Sequence, residues 1–523
     1  MSANRDSGYP TGRESTPRCH HHHHHREAAT TTKAFFDHST AKRINTDTLV
    51  AKTLAAQYPN LELVIAPQVN NLNLLAYASA GFASFEPFED EGGALPASLS
   101  WITYLPPAQR IDGSMGALGE KLNFGKFTYR WQGEEFLLYV VDVRDGTAYY
   151  SAAVHYYLLA PPQKKGRIGA LLVEAGRWAT ELHGEIFVFD QGYWQKSAAL
   201  YASAMKASWD NVILDAGMKK AIIEDHLSFF DSRDTYEKLQ VPWKRGVIYH
   251  GPPGNGKTIS IKAMMHTLYE RKDPIPTLYV RSLNSSAGGE YSLEMIFQRA
   301  REFAPCYLVF EDLDSIVTDG LRSYFLNEVD GLKANDGIFM IGSTNHLDRL
   351  DPGISKRPSR FDRKYFFPDP DLAQRTAYCR FWQAKLAASG DDNPDRVEFP
   401  DRLCGAIARI TDKFSFAYMQ EAFVAALLAI ARRSGSSISG SDGDMEDDDN
   451  GWVDVCAVGG GGSDDDEDLK GLVLWVEIKK QVKILREGME AEEKRGGDEK
   501  EKEKEKDVGA LDMDETYKDL IDY

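Results

Sequence analysis

Gly251-Pro252-Pro253-Gly254-Asn255-Gly256-Lys257-Thr258 follows the apolar run Val247-Ile248-Tyr249 and leads into a helix-like segment, Ile259 to Tyr269. Glycines let the backbone curl so that successive N–H groups point into one concavity, and the N-terminus of the following helix adds its positive end to the same spot. The guest that suits such a loop is a polyphosphate. Lys257 is spaced to reach the β- and γ-phosphates, and the Thr258 hydroxyl to take one position around Mg²⁺. A strand before the loop and a helix after it separate this pattern from a chance Gly-rich turn, and they predict an α/β fold of the P-loop NTPase kind.

The surrounding sequence supports that fold. From Trp209 onward, short apolar runs alternate with helical patterns, as in a parallel α/β domain. The strand candidates are Val247 to His250, Thr277 to Val280, Tyr307 to Phe310, Ile338 to Ser343 and Lys364 to Phe367. Each is followed by polar residues, which puts functional groups at the carboxyl ends of the strands. After Asp371 the pattern is helical through Arg433.

Upstream, from about Phe35 to Ala204, the pattern is mixed α and β. Phe124 to Trp131 and Phe136 to Val143 flank a Gln132-Gly133 turn and predict a hairpin. Thr147 to Leu159 reads as a third strand, Ile168 to Leu182 as an amphipathic helix and Glu185 to Asp190 as a further strand. The aromatic side chains Trp131, Tyr149, Tyr150, Tyr156 and Tyr157 read as core and strand face.

Three places downstream of the loop carry the groups a metal-bound triphosphate needs. The strand Tyr307-Leu308-Val309-Phe310 ends in Glu311-Asp312. One carboxylate belongs in the shell of Mg²⁺ and the other orients or deprotonates the attacking water; by position Glu311 takes the metal and Asp312 the water, although adjacent acids could exchange duties. The next strand ends in Thr344-Asn345, and an amide there can hydrogen-bond a γ-phosphate or the water. Asp351-Pro352 then opens the run Lys356-Arg357-Pro358-Ser359-Arg360-Phe361-Asp362-Arg363, whose guanidinium groups are suited to stabilise a transferring phosphoryl group.

Composition limits the partners. The formal charge of −18 sits in two segments: residues 435 to 470 carry twelve acids against Lys470, and residues 489 to 523 carry fourteen acids against seven bases. The remainder is near neutral, without the clustered Lys and Arg that nucleic acid requires. Cysteines 19, 306, 379, 404 and 456 are scattered and include no CxxC pair, so neither a disulfide framework nor a zinc site is predicted, and a reducing compartment fits. No apolar stretch reaches the length of a membrane span, and the first forty residues have neither a signal core nor an acid-free transit pattern. His20 to His25 reads as a tag or an unstructured run rather than a metal site. The expected setting is intracellular, cytoplasmic or nuclear, with the mitochondrion left open.

The ordered set Gly-Pro-Pro-Gly-Asn-Gly-Lys-Thr, Val-Phe-Glu-Asp-Leu-Asp, Ser-Thr-Asn-His and Arg-Pro-Ser-Arg-Phe-Asp-Arg resembles the AAA family of ATPases. The approach to the loop, from Trp209-Asp210-Asn211-Val212-Ile213-Leu214 through Tyr236 to Pro242-Trp243-Lys244-Arg245-Gly246-Val247, and the Glu-Asp order at 311 and 312, are similar to the clade that contains the mitochondrial Rieske-protein translocase. The resemblance covers about Leu171 to Arg433 plus the helix Leu472 to Glu487.

That resemblance implies a parallel sheet with helices on both faces, a helical lid, ATP and Mg²⁺ as cofactors, and a homo-oligomeric ring, most often a hexamer. It implies that Lys257 and Thr258 bind phosphate and metal, that Glu311 and Asp312 are the Walker B pair, and that Asn345 is the first sensor. Arg357 and Arg360 would be fingers reaching a neighbour's nucleotide, and Ser415 begins the second sensor region. An extra residue between Asp351 and Arg357 leaves open which arginine is the main finger. Ser285 to Glu290 stands where many relatives carry an aromatic pore loop, so threading of an unfolded peptide is not implied. The membrane segment of the translocase relatives is missing, and their location and substrate are not carried over.

The expected organisation is an unstructured segment over 1–34, an α+β domain over 35–204, the ATPase core over 205–370 and its lid over 371–434. An acidic unstructured insert at 435–470, a final lid helix at 471–488 and a charged tail over 489–523 follow. The expected function is ATP hydrolysis coupled to remodelling of an unidentified protein client. A nucleic-acid-remodelling ATPase and a nucleotide-binding scaffold that does not hydrolyse are the alternatives.

Overall fold

The computed structural model describes residues 44–69, 72–88, 98–107, 115–144, 154–330, 334–355, 360–388, 397–436 and 469–491, with a few between 33 and 42. Most of the segment 1–34, Tyr149, Tyr150, Arg357, and most of the acidic insert and the charged tail lie outside the described residues.

The chain divides into two compact units, Met1–Glu181 and Leu182–Tyr523. The first is built on a six-stranded antiparallel sheet comprising β1 (Glu62–Pro67), β2 (Ser84–Pro87), β3 (Ser98–Leu105), β4 (Ala117–Trp131), β5 (Glu134–Asp142) and β6 (Val154–Ala160). Strands β4 and β5 form the predicted hairpin, with Gln132 and Gly133 at φ 48° and 78°. Positive φ at both central residues is the turn whose twist matches the flanking strands. Trp131, Tyr156 and Tyr157 are buried in its core, and Ile168, Leu171 and Ala175 of the helix Lys165–Thr180 pack on the face that carries Trp131 and Tyr156.

The second unit has a seven-stranded sheet made from β7 (Ile186–Asp190), β8 (Tyr193–Ser197), β9 (Lys244–His250), β10 (Thr277–Val280), β11 (Cys306–Phe310), β12 (Ile338–Thr344) and β13 (Arg363–Phe366). Their order is β13-β9-β12-β11-β10-β7-β8, parallel throughout except for β8. The two units thus divide at 181/182, whereas the sequence pattern puts the domain boundary at 204/205. The run read as a strand of the first domain, Glu185 to Asp190, is β7, and it pairs in parallel with β10. Local pattern identifies a strand but not its sheet, because the partner lies some ninety residues downstream and is chosen by tertiary packing.

Both faces of this sheet are covered, which is why its central strands are continuously apolar rather than alternating. Leu308 and Phe310 of β11 pack with Leu293, Phe297 and Phe325 on one side. Tyr307 and Val309 pack with Phe229, Ile261 and Met264 on the other. All of β11 is buried, and each large side chain so placed contributes about 1.5–3 kcal/mol. The residues that follow β11 are thus held by a rigid strand end.

A helical subdomain follows, with the helices Leu372–Ala387, Asp401–Ile410 and Phe416–Ser436. Residues 473–491 are also helical, and Leu474, Trp475, Ile478 and Val482 join Trp382, Ile407 and Phe423 in one core. Asp371 caps the first of these helices through a reciprocal capping box with Gln374. Among the described residues, no helix is long and apolar enough to cross a membrane.

Candidate functional site

The loop between β9 and the helix Lys257–Tyr269 adopts a conformation that only glycine tolerates at its ends. Gly251 has φ 140°, and a Cβ there would lie 2.2 Å from the carbonyl oxygen of Phe367. Gly254, at φ 79°, faces the start of the helix Phe416–Ser436, where a Cβ would sit 2.6 Å from that of Ala417. The lid touches the loop directly, because the Ala417 N–H donates to the Gly254 carbonyl at 3.2 Å. Ser415, 7% exposed, is at the same junction, and its Oγ accepts from the Tyr418 N–H at 3.4 Å.

Lys257 is 8% exposed. Its ammonium donates across the loop to the carbonyls of Gly251 at 2.7 Å and Pro252 at 2.8 Å. Burial lowers its pKa, and Asp312 and Asp314 oppose that shift by attraction. His250, one residue before the loop, also has a lowered pKa, from burial and then from repulsion by Lys364 and Lys257. In both cases the main cause is removal of the cationic form from water. Asn255 is buried; its Nδ2 donates to Asp369 at 2.8 Å, and its Oδ1 is buried with no partner. Pro253 and Thr258 are exposed beside it, and Gly256 is the last residue before the helix.

At the end of β11, Asp312 takes the left-handed conformation, φ 52°, and its N–H donates to Ser343 Oγ at 3.3 Å. Glu311 accepts a hydrogen bond from the Tyr279 hydroxyl at Oε2, while its Oε1 is buried without a partner. A buried carboxylate oxygen without a protein partner can take a donor or a cation, and a metal-bound water would supply one. The donor set, with its glycine cradle, buried ammonium and paired acids, fits a magnesium-bound polyphosphate. Among the described residues, no group of three or more His, Cys, Asp or Glu is placed to hold a metal ion alone. An ion here would accordingly need oxygens of its nucleotide as well.

Two residues to which the sequence reading gave no role tie the strand ends together. Thr344, fully buried, donates its hydroxyl to Asp314 Oδ1 at 2.6 Å and accepts the His346 N–H at 2.9 Å. The signal for Asp314 was the third acid of Glu311-Asp312-Leu313-Asp314; nothing local marked Asp369. Asn345 is exposed immediately after β12.

Arg360 is held by its own chain in this structure. The side chain is buried, with Nε and Nη2 on the Asp330 carboxylate at 2.8 and 2.6 Å and Nη1 on the Gly353 carbonyl at 2.7 Å. A bidentate guanidinium with its fork filled by its own chain is not presented to a neighbour. The sequence showed an arginine, but Asp330, thirty residues upstream, is what turns it inward.

Residues 247–369 match the family model described as the ATPase family associated with various cellular activities (AAA). The ATP-dependent zinc metalloprotease YME1 homolog of Caenorhabditis elegans is similar, 29% identical over 194 residues. The match takes in 34% of this chain and 25% of that protein, so the chain spans about a quarter of the relative's length.

Proposed function

From the AAA ATPase module at residues 247–369, we propose that the protein is a Mg²⁺-dependent ATPase that works as a homo-oligomeric ring, a hexamer or similar, and couples hydrolysis to remodelling of a protein client. The observation that carries this reading is the meeting of a buried ammonium, Lys257, with the Glu311-Asp312 strand end, where Glu311 Oε1 is left without a partner.

Gly251 to Thr258 would cradle the phosphates with backbone N–H groups, and Lys257 would exchange its two loop carbonyls for β- and γ-phosphate oxygens. Thr258 and Glu311 would hold Mg²⁺, which when bound neutralises phosphate charge. Asp312 would orient and deprotonate the attacking water, and Asn345 would hydrogen-bond the γ-phosphate or that water. Arg357 would be the finger in trans, since Arg360 is occupied by Asp330. Lid contact at Gly254 supports coupling of nucleotide state to lid position. A protein client is supported by β3, whose exposed Trp101 and Ile102 lie on a strand without charge. Scattered cysteines, three of them free and buried, support an intracellular, reducing setting.

The test is steady-state ATP hydrolysis measured against protein concentration, with light scattering on the same samples. Specific activity that rises with assembly and is lost in Asp312→Asn, which still binds ATP, supports the reading. Equal turnover in Asp312→Asn, Lys257→Ala and wild type overturns it, and activity independent of concentration removes the ring.

A further inference from the structure

Glu311 stands where its extra methylene, relative to aspartate, gives the carboxylate two ways to turn. One neighbour settles which. Tyr279 lies on β10, in parallel register with Val309 of β11, so its ring projects alongside the strand end and its hydroxyl reaches Glu311 Oε2. The other oxygen, Oε1, is buried and has no donor. The pair borders a cavity of about 520 Å³ that is also lined by Arg281, Asn284, Asp312 and Ser315. Arg281, the arginine that lines this cavity, is paired with Asp190 at 3.5 Å rather than with Glu311. Among the described residues, the tyrosine is thus the one side chain hydrogen-bonded to this carboxylate.

We propose that Tyr279 is the positioning residue for the metal-side carboxylate: it ties down Glu311 Oε2 and reserves Oε1 for the magnesium-bound nucleotide. The inference rests on the nucleotide reading above. A carboxylate with one oxygen anchored loses little freedom when the other is engaged, so the hydroxyl lowers the ordering cost of metal binding. Loss of such a supporting partner typically costs about 10–100-fold in metal affinity.

The experiment measures dissociation of a fluorescent ATP analogue in Mg²⁺ and, separately, in EDTA, for wild type, Tyr279→Phe, Glu311→Asp and the double variant. Phenylalanine keeps the ring in its packing site, and thermal melts of each variant verify the fold. The expected result is about tenfold weaker binding in Mg²⁺ for Tyr279→Phe, with binding in EDTA unchanged. Because the shorter aspartate does not reach the hydroxyl, Tyr279→Phe is expected to have no further effect in the Glu311→Asp background. Equal affinity of wild type and Tyr279→Phe in Mg²⁺ overturns the proposal, as does an equal loss with and without the metal or full additivity in the double variant. Absence of nucleotide binding by the wild type overturns the ATPase reading and this inference together, whereas metal-dependent binding that ignores Tyr279 overturns this inference alone.

Discussion

The most consequential single residue is Arg360, because its type suggests one function and its surroundings another. Its fork is closed on Asp330 and Gly353, so Arg360→Ala removes charged hydrogen bonds that contribute about 2 kcal/mol. A lowered thermal midpoint is expected even in dilute samples, where no neighbour is present. Arg357→Ala, by contrast, should remove turnover only in assembled protein if this arginine acts on a neighbour's nucleotide. If Arg360→Ala melts like wild type and loses activity solely on assembly, the inward role assigned to it is wrong. Lys257→Ala and Asp312→Asn should separate binding from chemistry: the first abolishes nucleotide binding, and the second retains it while slowing turnover by at least about 100-fold.

Between elements, the contact that matters is the lid helix on the phosphate loop. Gly254 has no room for a Cβ, with Ala417 at 2.6 Å and Ser415 Oγ at 3.0 Å, and its φ is positive. A left-handed residue with a side chain costs about 1–2 kcal/mol before any collision. Gly254→Ala is therefore expected to displace the start of the helix Phe416–Ser436 and to weaken nucleotide binding by about tenfold or more, read by titration with a fluorescent nucleotide. Gly320, in the helix Asp319–Asp330, faces nothing within 4 Å. Gly320→Ala should stabilise by about 0.5–1 kcal/mol through helix propensity and leave nucleotide affinity unaltered. Equal effects of the two substitutions would show that the loop and the lid are not coupled at this contact.

At the scale of the whole molecule, acid lability follows from one buried imidazole. His226 is fully buried and lies 4.2 Å from Phe339, ring centre to ring centre. Its Nδ1 is 2.8 Å from the Ile222 carbonyl. A carbonyl only accepts, so Nδ1 carries the proton and Nε2 accepts from Tyr307. Burial lowers its pKa from 6.5 to about 4, with Arg245 adding to the shift and Asp225 opposing it. The unfolded chain therefore binds this proton more readily than the folded one. Stability is unaffected above pH 6.5 and falls as the pH drops from there towards about 4, by roughly 3 kcal/mol at most for a shift of this size. A denaturant series from pH 7.5 to 4.5 measures the slope, and His226→Phe should flatten it. Assembly belongs to the same scale: mixing Arg357→Ala with Lys257→Ala subunits should give activity neither has alone if fingers act between subunits.

Legibility differed with the range of the forces involved. The phosphate loop, the strand ends and the fold class were readable because each rests on residues adjacent in the chain, with glycines before a helix and carboxylates after an apolar run. The hairpin at Gln132-Gly133 was readable for the same reason. What adjacency does not encode is not legible in the same way. The sheet that β7 joins is set by β10, which is distant in sequence, Asp314 and Asp369 acquire roles only through Thr344 and Asn255, and the direction of Arg360 is set by the remote Asp330.

By itself the sequence determined that this chain has a phosphate-binding α/β core with paired acids and a helical appendage, because those depend on local backbone chemistry and periodicity. Only the tertiary structure decided which oxygen of Glu311 is tied, which way Arg360 turns and where the lid meets the loop. Those outcomes are set by burial and hydrogen bonding between segments that approach one another only in the folded chain.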